Sequence, residues 1–249
     1  MRIAFFDSGI GGLTVLAEAR RRRPDFDYLY YADCANAPYG SQPANAVRAH
    51  IAQAVEILEQ KGIDALVVAC NTATAVSIES LRAQYAFPII GMEPAVKTAL
   101  DGASSGRVLV MATSLTLQES KLSHLIGRLE GEGKVDRLAM DQLVSFAEQG
   151  EFNAPQVSQY IQAQLSHYRL EDYQALVLGC THFIYFKPLL ARYCPHNIDI
   201  VDGNAGTVQH LFRQLPADRT GDGQLDFLYS GLEPDALLRE RLEGLLRAL

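Results

Sequence analysis

The 249-residue chain has no tryptophan, only four cysteines, no excess of positive charge and no long apolar run. Each shortage narrows what the protein can be. Without Trp, aromatic burial rests on 10 Phe and 11 Tyr. Four cysteines, Cys34, Cys70, Cys180 and Cys194, are too sparse to staple a chain of this length, which excludes a disulfide framework and points to a reducing, cytoplasmic setting. There each thiol is either an inert apolar side chain or a working group. With 22 Lys+Arg against 29 Asp+Glu the net charge is −7. That is the wrong sign for a nucleic-acid partner, whose phosphates need a basic face. No apolar stretch approaches the roughly 18 residues of a spanning helix, so no membrane partner is expected. Asp7 interrupts the apolar run Ile3-Ala4-Phe5-Phe6 too early for an export signal.

What is present is an ordinary globular composition, 48% hydrophobic and 20% charged, too apolar for disorder and long enough for one large or two modest domains. Short apolar runs alternate with helical patterns. Residues 2–6 read as a buried strand, followed by a loop with Gly9, Gly11 and Gly12 and a helix from Leu13 that stops before Pro24. Residues 28–32 form a second strand. Residues 42–61 are amphipathic, with Val47, Ile51, Ala54, Val55 and Leu58 at helical spacing. Residues 65–69 are apolar throughout, as expected of a strand covered by helices on both faces. Asn71 is expected to cap the next helix, and residues 88–90 begin another strand. Strand, loop, helix, strand is the pattern of a parallel α/β sheet.

The second half repeats the first. Arg107-Val108-Leu109-Val110 echoes Arg2-Ile3-Ala4-Phe5 at an offset of 105 residues, and Ala175-Leu176-Val177-Leu178-Gly179-Cys180 echoes Ala65-Leu66-Val67-Val68-Ala69-Cys70 at 110. Asp199-Ile200-Val201-Asp202-Gly203 falls about where Pro88-Ile89-Ile90-Gly91 would after the same shift. A shared Ala/Leu/Val composition explains the apolar residues, but not a thiol at the same strand end in both halves. A final strand over 224–230 and a helix with Leu238, Leu242, Leu245 and Leu246 on one face are too short for a domain and are expected to pack back on one of the halves.

Open α/β sheets bind ligands at the carboxyl ends of their strands. Four such loops carry polar groups: Asp7-Ser8-Gly9, Pro38-Tyr39-Gly40-Ser41, Cys70-Asn71-Thr72 and Cys180-Thr181-His182. If the halves face each other across a pseudo-twofold, Cys70 and Cys180 stand on opposite walls of one cleft, which suits an acid and a base acting on opposite faces of one carbon. A free thiol with a pKa near 8.5 is only about 3% thiolate at neutral pH. A helix N-terminus supplies about 0.3–1 kcal/mol, less than one pKa unit, so each thiol needs a partner as well. The candidates are His182 and Asp7. Asp7 either handles a proton or orients a donor, or else closes an Asx turn on the amides of Gly9, Ile10 or Gly11. Ser8, Ser41, Thr72 and Thr181, with Asn71 and glycine-rich turns, can hold a carboxylate through neutral donors, cap helices, or do both.

Other features read more plainly. Gly9-Ile10-Gly11-Gly12 is not the dinucleotide fingerprint and no Gly-Lys-Ser/Thr follows it, so no nucleotide is expected. Cys180/His182 and Cys194/His196 are spaced unlike zinc ligands, and no metal is expected. Arg20 to Arg23 form a solvated helix end, His50 a surface residue, and Cys34 and Cys194 bystanders.

The segments Asp7-Ser8-Gly9-Ile10-Gly11-Gly12-Leu13-Thr14-Val15, Pro38-Tyr39-Gly40-Ser41, Ala69-Cys70-Asn71-Thr72-Ala73, Gly91-Met92-Glu93-Pro94-Ala95 and Gly179-Cys180-Thr181-His182 together resemble the cofactor-independent glutamate racemases of the aspartate/glutamate racemase group. The resemblance implies two similar parallel-sheet α/β domains related by a pseudo-twofold, with the active site in the cleft between them. The division expected is 1–95 plus 206–249 for a discontinuous first domain and 96–205 for the second. It also implies glutamate as a small-molecule substrate, no pyridoxal phosphate or other cofactor, a homodimer, and a product, D-glutamate, that feeds peptidoglycan synthesis. One cysteine thiolate would remove the α-proton and the other thiol would protonate the opposite face. Carried over by motif, Cys70 and Cys180 are the catalytic pair, assisted by Asp7, His182 and Glu148. Ser8, Tyr39, Gly40, Asn71, Thr72, Thr113, Thr116 and Thr181 are substrate-binding positions beside Ser41, Asp7 and His182. The chain departs from the family in Phe183-Ile184, where an aromatic and proline are usual, and in Met140-Asp141, where Cys-Pro is frequent. These departures bear on substrate preference, rate or oligomer contacts. The alternatives are a racemase for aspartate or another amino acid, and a non-catalytic amino-acid-binding regulatory protein, which would be expected to lack one cysteine. A cysteine hydrolase using Cys180 and His182 is disfavoured, because nucleophile and base ordinarily come from separate segments.

Overall fold

A computed structural model describes residues 1–92, 94–101 and 106–249; Glu93 of the Gly91–Ala95 motif thus lies outside the described residues. The strands are β1 (Arg2–Asp7), β2 (Asp27–Ala32), β3 (Ala65–Val68), β4 (Ile89–Gly91), β5 (Arg107–Ala112), β6 (Val135–Ala139), β7 (Tyr173–Leu178), β8 (Asp199–Asp202) and β9 (Leu225–Tyr229). The helices are α1 (Leu13–Arg22), α2 (Ala44–Gln60), α3 (Asn71–Gln84), α4 (Val96–Asp101), α5 (Ser114–Gln118), α6 (Ser120–Arg128), α7 (Asp141–Gln149), α8 (Pro155–Leu165), α9 (Lys187–Leu190), α10 (Asn204–Gln214) and α11 (Ala236–Arg247). Among the described residues, no helix is long and apolar enough to cross a membrane.

The strands form two sheets, parallel throughout, in the orders β4-β3-β1-β2-β9 and β8-β7-β5-β6. Strand for strand, β5 to β8 occupy the places of β1 to β4. The repeat read in the sequence is therefore a repeat of topology. The first sheet has one strand more, β9, which pairs with β2. Through it the C-terminal segment returns to the first sheet, and α10 and α11 both pack on α1.

Both faces of the central strands β1, β3, β5 and β7 are buried, which explains strands without a polar face. Ala4 and Phe6 of β1 face Val47, Ile51 and Val55 of α2. Ile3 and Phe5 face Leu13 and Leu16 of α1, Val208 of α10 and Leu242 of α11. In the second sheet Leu109 and Met111 meet Leu143 of α7 and Val157 of α8, while Val108 and Val110 meet Val96 of α4 and Leu122 of α6. Each of these side chains larger than alanine contributes about 1.5–3 kcal/mol relative to exposure.

Three local features were not foreseen, one of them against an explicit expectation. The residue capping α3 is Cys70, not Asn71: the Ala73 amide donates to the Cys70 sulfur at 3.4 Å, while the Asn71 side chain donates to the Met92 carbonyl at 3.4 Å. The Cys180 loop enters a 3-10 helix, Thr181–Phe186, and turns α-helical only at α9. Pro188 has no N–H to give the Ile184 carbonyl, so the tighter bonding persists up to that point. The sequence reading also passed over β6, whose Val-Asp-Arg-Leu-Ala run is largely solvent-accessible and has no apolar signature. It is an edge strand, held by a bidentate pair between Arg107 and Asp136 at 2.7 Å and by the Tyr173 hydroxyl, which donates to Asp136 at 2.6 Å.

Candidate active site

The polar groups gather where the strands of both sheets end, as α/β topology requires. Asp7 closes β1, Asp33 and Cys34 follow β2, Cys70 follows β3, Thr113 follows β5 and Cys180 lies just past β7. Cys70 and Cys180, at equivalent places in the two halves, are both buried, with 6% and 7% exposure. They are near enough for the charge of one to raise the pKa of the other.

Each thiol has its own partners. The Cys70 thiol donates to the Ser8 hydroxyl at 3.7 Å and its sulfur receives the Ala73 amide. Burial and the adjacent Asp7 carboxylate push the Cys70 thiol up to about 12, against the smaller opposing pull of that amide. The Cys180 sulfur lies 3.7 Å from Nδ1 of His182, and Nε2 of His182 lies 2.6 Å from Oε1 of Glu148. Burial disfavours charge on this imidazole, but its bonds to Cys180 and Glu148 outweigh burial and hold it well above the ordinary histidine range. Burial works likewise against charge on Glu148, and the His182 bond and the Ile10 amide, which donates to Oε1 at 2.8 Å, bring its carboxyl below the usual value.

Asp7 is fully buried and does more than one of the things expected of it. Its Oδ1 accepts the Gly9 amide at 3.0 Å, closing an Asx turn, and its Oδ2 accepts the Thr181 hydroxyl at 3.0 Å, joining the first half to the second. Burial lifts its carboxyl to about 6, although the His182 charge and these bonds pull the other way.

Glycines let the two halves approach this closely. A Cβ on Gly9 would sit 1.8 Å from Oε1 of Glu148, and one on Gly11 would sit 2.4 Å from the Thr181 hydroxyl and 2.5 Å from Nδ1 of His182. The Gly9–Gly12 loop is therefore a place of close backbone approach. Gly40 is similar, since its Cβ would lie 2.6 Å from Thr113 Cβ and 2.8 Å from Asp141. Beside it the hydroxyls of Thr72, Thr113 and Thr116 form a buried triangle with sides of 2.9, 3.2 and 2.9 Å, which ties α3 to the turn after β5. Thr72 is thus not a cap.

The structure brings Asp7, Cys180, Thr181, His182 and Glu148 into one network, and Cys70 with Ser8 into contact with it through the Asp7 charge. Tyr39 is buried, but its hydroxyl donates to Asp33 and its ring stacks 6.0 Å from His50, so its backbone rather than its hydroxyl is left for a ligand. Ser41 is exposed and takes no part in these bonds. The sequence reading missed two residues. Asp33 is buried, accepts Asn36 and Tyr39, and donates its amide to the Asp7 carbonyl at 2.9 Å; its place at a strand end, matching Asp7, was the available signal. Cys34, read as a bystander, faces Glu148 at 3.8 Å, and nothing local in the sequence signals it.

Known proteins resemble the chain in sequence and fold. The family model described as Asp/Glu/Hydantoin racemase matches residues 13–211. The chain is 47% identical over 98% of its length, and 98% of the other's, to a glutamate racemase of Halothermothrix orenii. Among solved structures it resembles Escherichia coli glutamate racemase in complex with L-glutamate and the activator UDP-MurNAc-ala, with a TM-score of 0.87 and 28% identity over 99% of this chain and 94% of that one. It also resembles glutamate racemase from Campylobacter jejuni subsp. jejuni, with a TM-score of 0.85 and 26% identity over 100% and 99%. The doubled parallel fold, the two thiols at matching strand ends and a likeness that runs the length of the chain lead to one assignment: this chain belongs to the Asp/Glu/Hydantoin racemase family.

Proposed function

We propose that the protein is a cofactor-independent glutamate racemase that works by two cysteine bases and supplies D-glutamate for peptidoglycan synthesis from the cytoplasm. The observation that carries this reading is the pairing of Cys70 and Cys180 at equivalent strand ends, each with its own proton-handling partners. Full-length similarity to glutamate racemases supports glutamate as the substrate.

The chemistry follows from the groups present. The α-carboxylate of glutamate accepts hydrogen bonds from neutral hydroxyls and amides of the Ser8, Asn71, Thr72 and Thr181 cluster, which strengthen as negative charge moves onto it. One sulfur, as thiolate, takes the α-proton; the electron pair of the Cα–H bond is held on the carboxylate. The other thiol then gives its proton to the opposite face of Cα. Cys70, pushed up to about 12, rests as the thiol and is the acid of that state. Cys180 lies 3.7 Å from Nδ1 of the His182 imidazole, a proton-exchanging neighbour that Cys70 lacks, and is assigned as the base. Turnover of the other enantiomer exchanges the roles, and Asp7, poised at about 6, lies where it can relieve or impose charge beside Cys70. Because both thiols are buried, the halves must part to admit substrate, with 1–95 plus 206–249 moving as one domain and 96–205 as the other.

The experiment is racemisation in deuterium oxide without added cofactor. Purified protein is expected to interconvert L- and D-glutamate and place solvent deuterium at Cα, and Cys70→Ala and Cys180→Ala are each expected to abolish this. Near wild-type turnover in either variant would refute the two-thiol mechanism. Racemisation of aspartate with none of glutamate would refute the substrate.

A further inference from the structure

The two oxygens of Glu148 are held differently. Oε1 receives the Ile10 amide and faces His182, whereas Oε2 faces the thiol of Cys34 at 3.8 Å. Glu148 occupies the last turn of α7, where the helix dipole disfavours an anion, so its position depends on groups outside that helix. Tyr229 of β9 lines the same pocket as Cys34, near enough to influence its thiol, and Arg241 of α11 donates to the Glu148 carbonyl oxygen at 2.6 Å. Cys34, Pro38, Ser145, Glu148, Tyr229 and Arg241 wall a pocket of about 290 Å³, so Oε2 has room to swing if its partner is removed.

We propose that Cys34 is a positioning residue for the racemisation reaction: its thiol, beside Tyr229, fixes Oε2 of Glu148 and so keeps Oε1 on His182, extending the chain of groups behind Cys180 to the C-terminal segment. The assignment rests on the racemase reading. Burial and the Glu148 charge push the Cys34 thiol up to about 12, so it stays protonated and acts as a donor. Besides His182 and Cys34, the charged and titratable groups that face Glu148 are Asp7 and Tyr30 of the first sheet, Tyr185, and Tyr229 and Arg241. None of these but Cys34 lies at Oε2 within hydrogen-bond distance among the described residues.

The test compares Cys34→Ala, Cys34→Ser and Tyr229→Phe in the full chain, each checked by thermal melt. Cys34→Ala is expected to lower kcat about fivefold with KM unchanged, the size of one weak hydrogen bond to a charged acceptor. The carboxylate then binds its proton more readily, so the low-pH limb of kcat moves to higher pH, and the titration of the His182 ring, followed by NMR in the resting protein, moves to lower pH. Cys34→Ser keeps a donor and is expected to stay within about twofold of wild type on all three measures, with Tyr229→Phe between the two. A folded Cys34→Ala with unmoved kcat and His182 titration would overturn the assignment, as would a Cys34→Ser that loses rate equally while the pH limb stays fixed. If wild type racemises no amino acid, it is the racemase reading that fails, and the assignment falls with it.

Discussion

Replacing Asp7 by asparagine should make stability less dependent on pH, and the structure sets the amount. Burial raises the Asp7 carboxyl from 3.8 to about 6. A group whose folded pKa is raised binds its proton more tightly in the native state, so its contribution is most favourable below about 4 and is lost as pH rises through 6. For a shift of about two units the whole loss is about 3 kcal/mol, of which about 2 kcal/mol falls between pH 4.5 and 7.5. Asparagine fits the same space and can still accept the Gly9 amide, but it does not titrate. Its other effects, including a weaker bond from Thr181, change little with pH and cancel in the comparison. The stability of Asp7→Asn relative to wild type should therefore rise by about 2 kcal/mol from pH 4.5 to 7.5. Urea unfolding followed by far-UV circular dichroism at several pH values measures this, since the chain lacks tryptophan for fluorescence. A relative stability constant within about 0.5 kcal/mol would refute the picture of a buried carboxylate kept charged against its surroundings.

Gly11→Ala should place a methyl group against Thr181 and His182, lowering stability by about 1–3 kcal/mol and racemisation by more than about tenfold; equal activity and melting temperature would show that the loop yields. Thr72→Val breaks two sides of the hydroxyl triangle and removes a donor that strengthens in the proposed transition state, so kcat and kcat/KM should both fall about tenfold in steady-state kinetics; a rise in KM alone would show that the donor binds substrate and transition state equally. Tyr39→Phe deprives the buried Asp33 carboxylate of a donor and should cost about 1–3 kcal/mol in urea unfolding; no cost would mean that Asn36 alone satisfies it.

Local patterns in the chain carry what short-range chemistry can encode. Apolar runs broken by loops and helical stripes specified parallel α/β architecture, and the offsets of 105 and 110 residues specified its doubling, because buried strands and amphipathic helices leave their periods in the chain. Cys70 and Cys180 stood out because both end apolar strands at matching places. The sign of the charge was legible too, but not how an acidic chain arranges its carboxylates. Only the tertiary structure brought Glu148 to the Ile10 amide across 138 residues and the Thr181 hydroxyl to Asp7 across 174. It alone made Cys70 the cap of α3, drew Thr72 into a triangle with Thr113 and Thr116, placed β9 beside β2 and set Cys34 at the free oxygen of Glu148. These relations depend on which strand ends meet across the two sheets and on how closely glycine lets the backbones approach. Neither leaves a period in the sequence, so a half-buried thiol that reads as a bystander in the chain stands, once folded, against the Glu148 carboxylate.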